Sequence, residues 1–305
     1  MEIYLPVAEL SVSWIVMILL GAVVGFLSGM FGVGGGFLMT PLLIFSGIPS
    51  TVAAATTLSH VTASSMSGAL AQWRKKLIDF PMAGVMLAGG LLGTLTGVWL
   101  VSLLRRAGQM DLIVSLTYVV LLGIIGTTML RESLAALKAY RSGALTSKRP
   151  VNRAWIQKLP FKMRFRQSRL CISVIPPIGI GFAVGVLSAL MGIGGGFIIV
   201  PAMIYILRMP TNVVMGTSLV QIIAVSAVTT VLQATSNYAV DLVLAGLLVI
   251  GGVVGAQLGV RVGAKLRGEQ VRFLMAIVVL VVALGLLWGL AARPEDVYSL
   301  TLGAL

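Results

Sequence analysis

Two glycine-rich stretches are the part of this sequence whose residue types and spacing most clearly suggest chemistry. Gly32–Gly36 and Gly192–Gly196 read GVGGG and GIGGG, and each precedes a short apolar segment that begins at Phe37 or Phe197. A helix that starts after such a break presents unpaired N–H groups and the positive end of its dipole, which together favour an anion. The pattern predicts an anion-binding backbone site at each break, formed by Gly34, Gly35, Gly36, Gly194, Gly195 and Gly196. A tight turn between closely packed helices is the alternative interpretation.

Polar side chains inside apolar segments are the second group of candidates. They stand at corresponding positions of two segments and are Thr56, Thr57, His60, Thr217, Ser218 and Gln221. In a helix Thr56 and His60 share a face because they are four residues apart, as are Thr217 and Gln221. If the two faces meet, their hydroxyl, imidazole and amide groups can donate hydrogen bonds to an anion. Hydrogen bonding between helices, or back to the preceding turn, is the alternative.

His60 is the only histidine in the chain. An ionisable residue inside a membrane segment is a functional hypothesis by default, and imidazole can change its charge near neutral pH. We therefore expect His60 either to contact the substrate or to carry a coupling proton. Its counterpart Gln221 cannot titrate, so such a proton site would exist in one half only.

The sequence offers little that could catalyse a reaction. Its single cysteine, Cys171, excludes an intrachain disulfide and a multi-cysteine metal site. The apolar segments also lack paired carboxylates, a His/Asp/Glu metal cluster and a Ser-His-acid set. No Gly-Lys-Ser/Thr nucleotide loop is present. We therefore expect no enzyme activity, no catalytic residue, no metal and no cofactor.

The composition is that of a membrane protein. Apolar residues make up 58% of the 305 residues, charged residues make up 10%, and the mean hydropathy is +1.05. Soluble domains usually carry about 25% charged residues. Runs such as Ile113–Leu130 are long enough to cross a bilayer, which takes roughly 20 apolar residues. The expected fold class is all-α, a polytopic membrane protein with 8–10 transmembrane segments.

The two halves of the chain repeat each other. Gly25–Pro41 and Gly185–Pro201 are identical at nine of 17 positions with an offset of 160 residues, and the match continues after single-residue insertions. Five segments are predicted in each half, at 12–31, 36–47, 50–73, 79–103 and 111–131 and at 173–191, 196–207, 212–235, 241–263 and 271–290. An odd number of crossings per half would invert the second half relative to the first, as in many secondary transporters. Segments 36–47 and 196–207 are short enough to be half-helices or re-entrant pieces instead.

Two further matched features predict structure rather than chemistry. Glycines recur every four residues on one face of the fourth segment of each half, a pattern that favours close helix packing. These glycines are Gly89, Gly93 and Gly97 in the first half and Gly251, Gly255 and Gly259 in the second. Asp79 and Asp241 stand at corresponding segment starts, where a carboxylate favours the helix dipole, and are predicted to be caps.

The charge distribution predicts the orientation and the domain limits. With the amino terminus outside, the inside loops hold 19 of the 22 basic residues, as the positive-inside rule requires. The predicted units are a first repeat at 1–131, a basic cytoplasmic loop at 132–172, a second, inverted repeat at 173–290 and an extracytoplasmic tail at 291–305. The predicted location is the cell inner membrane, with anionic lipids against the basic face. Nucleic acid is not an expected partner, because no folded reading domain accompanies the basic loop.

The paired S-x-x-x-G-[VI]-G-G-G-F-[LI]-x-x-P stretches, the A-T-T-L and G-T-S-L motifs and Gly255–Gly259 together resemble the sulfite exporter TauE/SafE family, also described as the toluene-sulfonate uptake permease family. The resemblance covers roughly residues 15–130 and 175–290. It implies transport of sulfite, organosulfonates or related sulfur oxyanions. It also implies that the six glycines of the breaks line the anion path together with Thr56, Thr57, Thr217 and Ser218. The basic loop 132–172 looks longer than the connector of many members.

The expected function is therefore secondary transport of a small sulfur-containing anion, sulfite or an organosulfonate, coupled to protons. The expected mechanism is alternating access between inverted repeats. Two alternatives stay open: transport of another small anion, and a membrane scaffold whose basic loop binds a partner. The sequence also leaves open the direction of transport and whether the chain forms a homodimer.

Overall fold

The structure is a computed structural model, and its description covers most of the chain. The described residues are 2–31, 33–74, 76, 78–106, 110–141, 160, 162–165, 167–168, 170–207, 209–263 and 268–291. Within them the helices are α1 (Trp14–Phe31), α2 (Gly36–Phe45), α3 (Ser50–Arg74), α4 (Phe80–Arg106), α5 (Met110–Arg141), α6 (Ile175–Met191), α7 (Gly196–Tyr205), α8 (Thr211–Ser236), α9 (Leu242–Gly263) and α10 (Gly268–Ala291). Two short antiparallel hairpins pair β1 (Glu2–Leu5) with β2 (Leu10–Ser13) and β3 (Lys162–Phe165) with β4 (Leu170–Ser173).

The helices follow the predicted apolar segments to within a few residues, except that α5 continues to Arg141. Five stretches are long and apolar enough to cross a membrane, namely Trp14–Phe31, Phe80–Arg106, Ile113–Arg131, Val213–Ser236 and Leu242–Gly263. α3 is of similar length, but its many serines and threonines make it less apolar. These observations confirm the prediction of an all-α, polytopic membrane protein.

Two of the helices are too short to cross a bilayer. α2 and α7 contain ten residues each, which is about 15 Å of helix, whereas the hydrocarbon core is about 30 Å thick. They are therefore half-helices, the alternative that the sequence left open for segments 36–47 and 196–207.

The glycine-rich faces form the closest helix contacts, as predicted. α9 packs on α1, where a Cβ atom at Gly255 would lie 2.0 Å from the carbonyl oxygen of Ala22. α4 packs on α6 in the same way, and a Cβ atom at Gly93 would lie 2.1 Å from the carbonyl oxygen of Phe182. Glycine is needed at these positions because any side chain would meet the backbone of the neighbouring helix.

These contacts interlock the two halves of the chain. The first helix of each half, α1 or α6, packs on the fourth helix of the other half, α9 or α4. α1 and α9 run parallel, since Gly21 approaches Leu248 and Gly29 approaches Ala256 further along. The halves are thus not two separate bodies lying side by side.

Each half begins with a β-hairpin. The β3–β4 hairpin stands 160 residues after the β1–β2 hairpin, the same offset as that of the glycine breaks. The segment 132–172, predicted as a loop, contains the end of α5 and the β3–β4 hairpin. Strands of four residues are too short to give a clear periodic signal. The basic residues of this region also made its composition resemble that of a loop, so its similarity to the first hairpin was not recognised. The rest of the loop, 142–159, and the tail from 292 onward lie outside the described residues.

Buried aspartates attach each hairpin to the opposite half. Asp241 caps α9 by accepting hydrogen bonds from the N–H groups of Val243 and Leu244 at 3.0 and 3.1 Å. Its second oxygen accepts a hydrogen bond from the N–H of Val7 in the β1–β2 turn at 3.0 Å. The predicted helix cap is confirmed, and the carboxylate also fixes the position of the hairpin.

Asp79 makes the corresponding contacts at the start of α4. It accepts a hydrogen bond from the N–H of Met82 at 3.3 Å, and from the N–H and hydroxyl of Ser168, in the β3–β4 turn, at 2.9 and 2.5 Å. At the other end of α4, Arg105 donates to the carbonyl of Asn237 at 2.5 Å, close to Asp241 and the β1–β2 hairpin. The two hairpins therefore lie at opposite ends of α4, which contains 27 residues, about 40 Å of helix.

Candidate functional site

The two glycine breaks have backbone conformations that other residues rarely adopt. The φ angles are 88° at Gly34, 73° at Gly35, 69° at Gly194 and 79° at Gly195. A left-handed conformation costs a residue with a Cβ atom roughly 1–2 kcal/mol. The breaks end α1 and α6 and start the half-helices α2 and α7 at Gly36 and Gly196.

The breaks are in direct backbone contact with each other. A Cβ atom at Gly36 would lie 2.5 Å from the carbonyl oxygen of Ile193, and one at Gly196 would lie 1.9 Å from the carbonyl oxygen of Val33. The structure thus brings together the six glycines singled out by the sequence. The first N–H groups of a helix have no partner within that helix. Because the two breaks are in contact, these N–H groups of α2 and α7 lie close together.

The aromatic residues that follow the breaks also meet. The rings of Phe37 and Phe197 stack with their centroids 4.8 Å apart and an interplanar angle of 19°. Both side chains are fully buried. Because each ring follows the first residue of its half-helix, this stacked pair fixes the position of α2 against α7.

The contact between the breaks lies near the middle of α3 and α8. A Cβ atom at Gly34 would lie 3.3 Å from both Val61 Cγ1 and Ile222 Cγ2, and one at Gly194 would lie 2.4 and 3.4 Å from the same atoms. Val61 and Ile222 are central residues of α3 and α8. The half-helix starts are therefore about equally far from the two ends of these long helices.

Thr56 and Thr217 bind helix starts. Thr56 Oγ1 accepts a hydrogen bond from the N–H of Asp241, and Thr217 Oγ1 accepts one from the N–H of Asp79, both at 3.1 Å. Each threonine thus holds the start of the fourth helix of the opposite half. Their hydroxyl oxygens are used for this structural contact.

His60 and Gln221 lie at different helix interfaces. His60 packs on α9, where a Cβ atom at Gly252 would lie 2.2 Å from its Nε2 atom, and the backbone of Gly21 lies beside the ring. Gln221 packs on α4 and donates to the carbonyl of Met86 at 3.4 Å. As the helical spacing predicted, His60 shares a face with Thr56, toward α9, and Gln221 shares one with Thr217, toward α4. These two faces contact different helices. Both are fully buried, and within the described residues neither ring nitrogen of His60 has a hydrogen-bond partner.

Thr57 and Ser218 differ although they are counterparts. The hydroxyl of Thr57 is buried and has no hydrogen-bond partner in the described part of the chain. The hydroxyl of Ser218 donates back to the carbonyl of Met215 at 3.2 Å. Thr57 therefore keeps a free hydrogen-bonding group, and Ser218 does not.

Three serines at the first break escaped the sequence prediction. Measured from Cβ positions built on the glycines, Ser65 Oγ lies 3.1 Å from Gly34 and Ser28 Oγ lies 3.3 Å from Gly35. Ser64 Oγ donates to the carbonyl of Val61 at 3.2 Å and lies 3.5 Å from that of Gly34. The four-residue spacing of Thr57, Val61 and Ser65 was a signal that could have identified this face of α3.

Backbone N–H and hydroxyl groups, both found at the breaks, are hydrogen-bond donors. The side-chain atoms nearest to Gly34, Gly35, Gly194 and Gly195 belong to serine, valine and isoleucine. Among the residues that the structure describes, no group of three His, Cys, Asp or Glu side chains could hold a metal ion.

Comparisons with known proteins indicate the family to which the chain belongs. Residues 17–286 match the family described as sulfite exporter TauE/SafE. The chain is 28% identical over 271 residues to the "Probable membrane transporter protein YjnA" of Bacillus subtilis (strain 168), covering 89% of this chain and 98% of the relative. It is 27% identical over 286 residues to a "Probable membrane transporter protein" of Xylella fastidiosa (strain 9a5c), covering 90% and 95%. No solved structure matches it. The family match over most of the chain shows that this protein belongs to the sulfite exporter TauE/SafE family and is a multi-pass membrane transporter.

Proposed function

We propose that this protein is a secondary transporter of a small sulfur oxyanion, sulfite or an organosulfonate, and that the substrate binds where the two glycine breaks meet. The observation that carries this proposal is the backbone contact between Gly36 and Ile193 and between Gly196 and Val33. Two half-helix starts in contact concentrate N–H groups and positive dipole ends at one place, which favours an anion without a fixed cation. The family description supports a sulfur oxyanion as the substrate class.

The mechanism proposed is alternating access between two inverted repeats. It is supported by the position of the two hairpins at opposite ends of α4, each held by an aspartate of the other half. Irregular backbone inside a membrane is tolerated only where it is buried in protein or lines a cavity, so breaks midway along α3 and α8 suit a central binding site. Opening to one side would move the α1–α9 pair, with its hairpin, against the α4–α6 pair with the other hairpin.

The sequence-derived residues divide into three roles in this proposal. The six glycines of the breaks present backbone N–H groups to the anion. Thr57 adds a free hydroxyl on the face of α3 that also carries Val61 and Ser65. Thr56, Thr217, Gln221 and Ser218 act indirectly by holding the helices that surround the breaks. His60 carries the coupling proton, because it is the ionisable side chain buried within α3, inside the proposed membrane region.

The proposed orientation places the β3–β4 end in the cytoplasm and the chain in the cell inner membrane. Exposed basic side chains lie at that end of the helices, for example Arg74, Lys76 and Arg261. Anionic headgroups of the cytoplasmic leaflet would attract each such residue by about 1 kcal/mol. Only Arg105 and Arg106 stand at the opposite end within the described residues.

Flux into proteoliposomes tests the transport proposal. With an imposed pH gradient, the reconstituted protein should accumulate radiolabelled sulfite or an organosulfonate, and a protonophore should abolish the accumulation. Liposomes without protein, and a parallel panel of nitrate, acetate and phosphate, serve as controls. Transport of a panel anion with no flux of any sulfur oxyanion would reject the substrate class and favour the alternative of another small anion.

His60→Gln tests the coupling. This variant copies the residue that the second half already has at the corresponding position, so it changes the ionisable group with little change in shape. We expect substrate binding to persist and accumulation driven by the pH gradient to be lost. Full gradient-driven flux in the variant would remove His60 from the coupling step.

A further inference from the structure

We infer that the anion at the breaks is held asymmetrically, with the hydroxyl of Ser65 in the first half as its principal side-chain donor. This inference rests on the proposed function, since it assumes that an oxyanion binds where the breaks meet. It adds residues that the repeat pattern did not indicate, and it gives the two similar breaks different roles.

Ser65 carries a hydroxyl that lacks a partner at the break. The residue is 1% exposed, its Oγ lies 3.1 Å from a Cβ position at Gly34, and it has no hydrogen-bond partner in the described part of the chain. Leaving a buried hydroxyl unpaired is unfavourable. An oxyanion at the break would satisfy this hydroxyl with a charge-assisted hydrogen bond, which is stronger than a neutral one.

The surroundings of the first break are polar on more than one side. Ser28, from α1, places its Oγ 3.3 Å from a Cβ position at Gly35. Ser64, from α3, places its Oγ 3.5 Å from the carbonyl oxygen of Gly34. Hydroxyls therefore approach the start of α2 from two different helices, next to the positive end of that half-helix.

The side-chain atoms nearest to Gly194 and Gly195 of the second break are hydrocarbon. The nearest atoms to a Cβ position at Gly194 belong to Val61 and Ile222, and those to one at Gly195 belong to Val184. The counterpart of Ser64 is Val225. Ser188, the counterpart of Ser28, is buried and unpartnered within the described residues, but its hydroxyl is not among the atoms nearest to Gly195.

The counterpart of Ser65 is already engaged. Ser226 Oγ donates to the carbonyl of Ile222 at 2.5 Å and accepts a hydrogen bond from the hydroxyl of Thr62 at 2.9 Å. Its single proton is therefore used within α8, and no donor remains for a ligand. The same residue type at matched positions has a free proton in one half and a bonded proton in the other.

Val61 and Ile222 complete the proposed site as an apolar wall. Both side chains lie between the breaks, in contact with Gly34 and Gly194. A sulfonate that enters with its oxygens toward Ser65 would place its organic group against these two residues. This arrangement fits an anion with a charged head and a small apolar substituent, as well as sulfite itself.

Binding measurements on the purified full-length protein test the inference. Sodium sulfite and methanesulfonate are titrated by calorimetry into the wild type, Ser65→Ala and the matched control Ser226→Ala. We expect Ser65→Ala to weaken binding about tenfold or more, because it removes a hydrogen bond to a charged group, with an unchanged melting temperature. Ser226→Ala should bind within about twofold of the wild type.

A third variant, Ser188→Ala, covers the second break. Ser188 is buried and unpartnered within the described residues and stands near that break in the sequence. Unchanged affinity in Ser65→Ala, or a larger loss in Ser188→Ala than in Ser65→Ala, would overturn the inference while leaving the proposed function intact. Failure of the wild type to bind either probe would contradict the proposed function, and the site with it.

Discussion

The side chains of α3 have different partners on two adjacent faces. On one face, Thr56 holds the start of α9 and His60 packs against Gly252. On the other face, Val61 and Ser65 touch the first glycine break. The first set stabilises the contact between the halves, and the second set borders the candidate anion site. Substitutions in the two sets should therefore have different consequences for stability and for binding.

Thr217→Val should destabilise the protein without any direct effect on a ligand. The substitution keeps the side-chain volume and removes the oxygen that accepts the N–H of Asp79 at 3.1 Å. A buried donor left without its acceptor costs about 1–3 kcal/mol. The melting temperature in detergent should fall, whereas Thr217→Ser, which retains the oxygen, should lie close to the wild type. Equal melting temperatures for the valine variant and the wild type would show that this hydrogen bond contributes nothing.

The sequence indicated which positions carry polar groups, but it did not indicate which of these groups contact each other in the fold. The glycine breaks were predictable, because a run such as Gly34–Gly36 with a matched copy is rare and has few physical explanations. The faces of α3 were not, because Thr56 and Thr57 differ by one position in a helix and point about 100° apart. The choice between them depends on which neighbouring helix lies on each side, and that is a property of the tertiary structure. Ser65 was missed for the same reason.

At the scale of elements, the glycine faces of α4 and α9 decide how closely the halves approach. Gly251, Gly255 and Gly259 each approach a backbone oxygen of α1 so closely that a Cβ atom would lie 2.0–2.1 Å from it. Gly246, on the same helix, has nothing within 4 Å of its Cβ position. The contribution of close packing to stability can therefore be separated from the effect of replacing glycine in a helix.

Gly255→Ala should separate α9 from α1 and lower the melting temperature. Overpacking a tight contact typically costs about 1–3 kcal/mol, and here the obstacle is backbone. Gly246→Ala is the matched control, and it should be neutral or slightly stabilising because alanine favours a helix by up to about 1 kcal/mol. Thermal unfolding of both variants in the same detergent gives the comparison. Similar melting temperatures for the two variants would mean that the α1–α9 contact is looser than described.

The helix boundaries followed from the apolar segments, whereas the hairpins did not. A long apolar run can do little in a membrane except form a helix, so the segments in the sequence became helices with nearly the predicted ends. The β3–β4 strands have four residues each, and Lys162 and Arg164 gave this stretch the composition of a loop. The 160-residue offset from the first hairpin and the attachment to Asp79 are seen only in the structure.

For the whole molecule, the interlocked halves limit which parts can move. α1 with α9 and α4 with α6 are joined by backbone contacts along their lengths, so each pair should move as one unit. The contacts at the ends of the molecule are fewer and polar, such as those of Asp79 and Asp241 with the hairpins. Each hairpin contact lies within one of these units, because Asp241 and the β1–β2 hairpin stand at the starts of α9 and α1, and Asp79 and the β3–β4 hairpin at the starts of α4 and α6. Alternating access in this protein would therefore move the α1–α9 pair against the α4–α6 pair.

The two ends of the molecule should be reachable from opposite sides of the membrane. Lys76 and Tyr238 are exposed at opposite ends of the helices, and Cys171→Ser provides a parent without other cysteines. In intact cells an impermeant thiol reagent should label Tyr238→Cys and should reach Lys76→Cys only after the membrane is opened. Labelling of both positions from the same side would contradict the proposed orientation.

The most direct test of the account is to locate a bound sulfonate. The structure of the protein with 2-bromoethanesulfonate, whose bromine is visible by anomalous scattering, would show where the anion lies. We predict the sulfonate at the start of α2, in contact with Gly36 and Ser65, and the bromine beside Val61 and Ile222. A sulfonate bound elsewhere, with the two breaks packed against each other as before, would contradict the claim that paired half-helix starts form the anion site.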